Sequence, residues 1–96
     1  MKKLPKAVPT VQVDNERVRV WRLVLEPGQA AAAITQAAPG VRVVIDGGEL
    51  IESAPGKPDR AKAPRGGEFF WQDAGETRAV RNVGTARIEL IEIELK

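Results

Sequence analysis

Two segments, one near each end of the chain, do most to restrict the fold: "VRVWRLVL" at residues 18–25 and "IELIEIEL" at residues 88–95. In both, apolar and charged residues alternate, which is the period of a strand whose two faces meet different surroundings. Both also change phase once. Val18 and Val20 give way to Trp21, Leu23 and Leu25; Ile88 and Leu90 give way to Ile91, Ile93 and Leu95. A slip of one residue turns every later side chain to the opposite face, so the pattern predicts a bulge or a sheet corner in each segment. The matching slips further predict that the two strands pair antiparallel and bend together, with Val20 near Leu90.

The intervening sequence reads as more strands. Val41, Val43 and Ile45 share a face, and Asp46-Gly47-Gly48 is a hairpin turn signal leading into a return strand at Glu49–Glu52. The Pro-, Gly- and charge-rich stretch at residues 53–67 reads as loop, and "EFFWQ" and "TRAVRN" read as short strands. The alanine-rich run from Gly28 to Gly40 has the best helix-forming residue. Its one large apolar side chain is Ile34, so strand and loop are expected there. Six to eight short strands separated by turns predict a sandwich or small barrel. Ninety-six residues fit one domain. Residues 1–10 are expected to be a flexible tail and residues 11–96 the domain.

Composition removes whole classes of chemistry. The chain has no Cys, no His and no Tyr. Disulfides, thiolate metal sites and Cys nucleophiles are excluded, as are the commonest metal ligand and the commonest general base near neutral pH. Fifteen basic residues oppose 13 acidic ones, for a net charge of +2. Arg17, Arg19 and Arg22 are flanked by Glu16 and Glu26 and form no basic stripe, so nucleic acid is not expected as a partner. No long apolar run follows the basic start "MKKLPK". A signal peptide or membrane span is therefore not expected, and the predicted location is cytoplasmic. Patterns for nucleophile elbows, P-loops and dinucleotide-binding loops are absent. Glu49, Glu52, Glu89, Glu92 and Glu94 read as outer strand faces, and no pair of carboxylates is spaced for acid–base work.

From Asn15 to Leu95 the chain resembles a small single-domain cupin. Gly28 and Gly47 fall at the first and last glycines of that family's first motif without insertion. Gly75 and Asn82 fit its second motif, and Pro64 and Gly66 fit the segment before it. The resemblance implies an all-β fold, a single small jelly-roll β-barrel, and a homodimer. The positions that supply metal ligands in the family do not match. Its two first-motif histidines fall on Ile34 and Gln36, its glutamate on Gly40, and its second-motif histidine on Arg78. Neither the metal-dependent activities of the family nor its His-dependent, metal-free epimerisation is implied. No metal, cofactor or catalytic residue is therefore expected.

Arg78 is the sharpest remaining feature. If the register matches the family, it points into the barrel, where a guanidinium must find a carboxylate, reach water or hold an anion. A pairing with Glu76 or Asp73 would satisfy it without a ligand. Gln36 is either a hydrogen-bonding wall or a solvated rim. Trp71 and Trp21 suit stacking on a flat ligand, or else core packing or a dimer interface. The expected function is a metal-free, non-catalytic barrel. It would bind a small polar or anionic molecule through Arg78 and Gln36, beside Ile34 and Trp71, or serve as a structural or interaction module. Two alternatives remain: a cofactor-independent isomerase or lyase using a barrel carboxylate, and a metal cupin with relocated Asp or Glu ligands.

Overall fold

The structure, a computed structural model, describes residues 4–96. Nine strands follow one another: β1 (Thr10–Asp14), β2 (Val18–Leu25), β3 (Ile34–Thr35), β4 (Gly40–Asp46), β5 (Leu50–Ser53), β6 (Arg60–Lys62), β7 (Phe69–Gln72), β8 (Thr77–Asn82) and β9 (Ile88–Leu95). They form a five-stranded sheet in the order β1-β2-β9-β4-β7 and a four-stranded sheet in the order β3-β8-β5-β6. All strand pairs are antiparallel. The two sheets make one jelly-roll barrel.

The end segments pair antiparallel as expected, but Val20 is not beside Leu90: their partners lie three residues apart along the ladder. β2 and β9 run antiparallel with Val20 opposite Ile93, Leu23 opposite Leu90 and Leu25 opposite Ile88. The predicted bulge is not in this pairing, whose register is continuous over all eight residues of each strand. The apparent phase change has another cause. One face of β9 runs Ile88, Leu90, Glu92, Glu94 without a break, and the facing residues of β2 are Leu25, Leu23, Trp21 and Arg19. This interior face begins apolar and becomes polar, while the outer face changes the opposite way. The apolar half of the interior is closed by Leu23, Leu25, Val44, Leu50, Val80, Ile88 and Leu90, all buried.

Asn82 anchors the closed end of the barrel. It is fully buried, and its side-chain amide donates to the carbonyls of Leu25 at 3.0 Å and Ala86 at 2.7 Å. Its Oδ1 accepts from Gly84 N at 3.0 Å. One side chain thus ties the end of β2, the end of β8 and the turn into β9.

Several local expectations are corrected. Asp46-Gly47-Gly48 is not a hairpin: β4 pairs with β7 and β9, while β5 pairs with β6 and β8, so the segment carries the chain from one sheet to the other. Its glycines do not have positive φ. Gly47 is required by closeness instead, because a Cβ there would lie 2.0 Å from the Pro64 carbonyl oxygen. The stretch at 53–67 contains β6, which pairs with β5 through Leu50–Lys62, Ile51–Ala61 and Glu52–Arg60. β2 and β9 both lie inside the five-stranded sheet, whose edges are β1 and β7.

The alanine run holds no helix; it contributes β3 and isolated bridges at Ala30 and Ala31. Ala7, within the stretch expected to be a tail, is buried, bridges to Ala31, and donates its N–H to the Ala30 carbonyl at 2.8 Å. This holds it against the barrel. Residues 1–3 of that tail lie outside the described residues. No helix among the described residues is long and apolar enough to cross a membrane.

Candidate ligand-binding site

The polar half of the barrel interior is built by strand alternation. Arg42 lies between Gly40 and Val44 on the inward face of β4, Glu52 shares the inward face of β5 with Leu50, and Glu92 follows Leu90 on β9. Gln72 and Phe70 face in from β7, with Phe70 directly opposite Arg42. Arg78 faces in from β8. The reading of Glu52, Glu92 and Glu94 as outer-face residues is therefore wrong: all three sit on inward faces, and Glu52 is only 9% exposed. The face of a strand is set by position, and polar side chains occupy the inward positions here.

These groups are cross-linked. Arg42 Nε donates to Glu92 Oε1 at 2.6 Å, and Arg42 also reaches Glu52 at 3.5 Å. Lys62 Nζ binds the other Glu52 oxygen at 3.2 Å. Burial pushes the Glu92 carboxyl above its usual range; Arg42 and Arg78 oppose this, and Glu52 reinforces it. Glu52 Oε2 and Trp21 Nε1 are buried without a hydrogen-bond partner. A buried polar atom in that state is costly unless water or a ligand reaches it.

Two cavities share this interior. The smaller, of about 40 Å³, is lined by Trp21, Ile34, Gln36, Arg42, Arg78 and Glu92 among others. The larger, of about 430 Å³, opens between β4–β7 and β5–β6 and includes Arg42, Glu52, Arg60, Lys62, Phe70 and Arg78. Arg42, Gln72 and Arg78 border both.

Three of the four residues expected in a site therefore converge. Ile34 and Arg78 are cross-strand partners, and Gln36 lines the same small cavity, its amide donating to the Ala38 carbonyl at 2.8 Å. Arg78 points inward and has the neighbour foreseen for it: it pairs with Glu76 and donates to Gln72 Oε1. Trp71 is set apart. It alternates with Phe70 and Gln72, lies opposite Val41 on the outer face, is 56% exposed, and donates its indole N–H to Asp73 at 2.8 Å. It is absent from the smaller cavity and is among the residues lining the larger one. Arg42, Glu52, Glu92 and Phe70 line these cavities as well, and the sequence reading missed them.

The residues present do not suit a divalent metal. Ile34 has no donor atom, Gly40 has no side chain, and Arg78 brings a fixed positive charge to the spot. No group of three or more His, Cys, Asp or Glu among the described residues is placed to hold an ion.

No family model matches the chain. Individual proteins do. The chain is 32% identical over 92 residues to the beta-alanine degradation protein BauB of Pseudomonas aeruginosa, covering 96% of each. It is 30% identical to a cupin domain from Bordetella pertussis whose crystal structure superposes with a TM-score of 0.89, covering 100% of this chain and 98% of that one. The chain belongs to the cupin superfamily. At 16% identity and a TM-score of 0.77, an RmlC-like cupin family protein from Methanocaldococcus jannaschii shares the double-stranded β-helix fold over 99% of this cupin and 85% of its own length. In the interior of this cupin, Arg78 and Ile34 pair across strands.

Proposed function

We propose that this protein is a metal-free, non-catalytic cupin barrel that binds a small polar or anionic molecule. The supporting observation is the placement of Arg78 on the wall shared by two interior cavities, with Gln36, Gln72 and Arg42 around it. A planar guanidinium there suits a carboxylate or phosphate, and the Glu76 carboxylate occupies it in the meantime. BauB is named for beta-alanine degradation, which makes beta-alanine a rational first carboxylate to try. Thermal-shift screening against small carboxylates, phosphates and sugars tests the reading, because native-state binding raises stability by mass action. Hits should disappear in Arg78→Ala. Hits that survive unchanged would remove Arg78 as the anchor, and a stoichiometric transition metal in purified protein would refute the metal-free assignment.

A second reading rests on Glu92. A buried carboxyl with its proton affinity raised is the group that a cofactor-independent isomerase or lyase would need. Hydrogen–deuterium exchange at a carbon of a bound carboxylate, lost in Glu92→Gln, would favour it.

The outer face of the five-stranded sheet supports the interaction role. Val20, Ile93, Val41 and Trp71 line up across β2, β9, β4 and β7, with Val43 and Phe69 beside them. Phe69 and Trp71 are exposed. We propose a second copy of this chain as the occupant, giving a homodimer. Light scattering should report a dimer, and Trp71→Glu should convert it to a monomer; a monomeric wild type would end the proposal.

A further inference from the structure

The larger cavity carries information that the Arg78 anchor alone does not. Its volume of about 430 Å³ is in the range that encloses a small organic molecule rather than a bare ion. Four cations border it, Arg42, Arg60, Lys62 and Arg78. Arg42, Lys62 and Arg78 are each engaged by carboxylates of the chain. Arg60 is not: although it sits opposite Glu52 in the β5–β6 pair, no ion pair joins it to a carboxylate among the described residues.

Two further features point to what the rest of the ligand looks like. Phe70 occupies an inward position of β7 and yet remains 43% exposed, so it borders the cavity instead of packing in the core. Glu52 is nine-tenths buried in the same wall, and its Oε2 accepts no hydrogen bond, although the Arg42 guanidinium lies 3.5 Å from it as an ion-pair partner. An exposed aromatic face favours a flat partner. A buried carboxylate oxygen without a donor favours a hydroxyl or N–H.

We infer that the larger cavity binds a small planar organic acid that also carries a hydrogen-bond donor. Its acid group would lie toward Arg60 and Arg78, its ring against Phe70, and its donor on Glu52. This rests on the anion-binding reading above and narrows it to a ligand class.

Calorimetric titration of the full chain tests it with acetate, cyclohexanecarboxylate, benzoate, the three hydroxybenzoates and the methylbenzoate isostere of each. Benzoate is expected to bind about threefold or more tightly than cyclohexanecarboxylate, from ring stacking. The best hydroxybenzoate is expected to exceed its methyl isostere about tenfold, from one hydrogen bond to a charged acceptor. Phe70→Ala should remove the benzoate advantage and leave acetate affinity unchanged. Arg60→Ala should weaken every acid. Both residues are exposed enough that their replacement leaves the core intact, and a urea unfolding curve for each variant verifies folding. If acetate binds as well as the aromatic acids, or Phe70→Ala changes nothing, the planar-acid inference is overturned and the anion site stands. If no acid binds, the planar-acid inference fails together with the carboxylate form of the anion-binding reading.

Discussion

Replacing Asn82 by Leu tests the account of the closed end of the barrel. The two side chains are similar in size, so the substitution leaves no large cavity and isolates the polar contribution. It removes the two amide donors that satisfy the Leu25 and Ala86 carbonyls and the acceptor that satisfies Gly84 N. The bond to Leu25 is buried, whereas those to Ala86 and Gly84 are partly buried and open to compensation by water. Two ordinary hydrogen bonds at about 1 kcal/mol each, plus about 1–3 kcal/mol for the stranded buried carbonyl, give a loss of about 3–5 kcal/mol. For a domain of this size that is a large part of a total of about 5–15 kcal/mol, and it should lower Tm by about 15 °C or more. Urea unfolding of Asn82→Leu beside the wild type measures it. A loss below about 1 kcal/mol would show that these carbonyls are satisfied elsewhere and that Asn82 does not hold the three segments together.

Three further outcomes are expected. Glu92 titrates higher in the folded state than in the unfolded chain. The stability from its retained proton is complete below the unfolded carboxyl value of about 4.3 and is lost as pH rises through the folded value. Wild-type stability minus that of Glu92→Gln should therefore fall as pH is raised from about 4, and a flat difference in pH-dependent urea unfolding would contradict the buried assignment. Gly40→Ala should cost at least about 2 kcal/mol, since its Cβ would lie 1.9 Å from the Ile93 carbonyl oxygen; a neutral result by thermal melting would mean that β4 and β9 separate easily. Trp71→Ala should cost less than about 1 kcal/mol in protein dilute enough to be monomeric, because the exposed ring leaves little area to lose, and a loss of 3 kcal/mol or more, about the value for a buried ring, would place it in the core.

The pairing of β2 with β9 was legible because eight-residue alternation survives in both strands and sets which residues can face each other. The polar interior was not, because alternation was read with charged residues outward. Read without a break, Ile88 and Leu90 continue to Glu92 and Glu94 on one face, so the supposed phase slip was itself the sign of a charged cavity. Arg42, Glu52 and Glu92 are separated along the chain, and their shared network exists only once β4, β5 and β9 are assembled. The Asp46-Gly47-Gly48 misreading has a different origin. Sequence shows that a glycine is present but not whether φ or the nearness of another backbone requires it, and at Gly47 it is the Pro64 carbonyl.

Gly40 bears on how far this barrel could be given metal chemistry by engineering. Histidines at positions 34, 36 and 78 would bring three nitrogen donors to one cavity, a set that suits zinc with an open fourth position. The carboxylate that completes the family's own site would have to come from position 40, where the Ile93 carbonyl already fills the space a side chain would enter. Restoring that donor would require β4 and β9 to be respaced along their shared ladder, which no single replacement achieves. A metal variant of this protein is thus confined to a three-nitrogen design. The family's four-ligand arrangement is separated from it by backbone rearrangement, beyond a change of side chains.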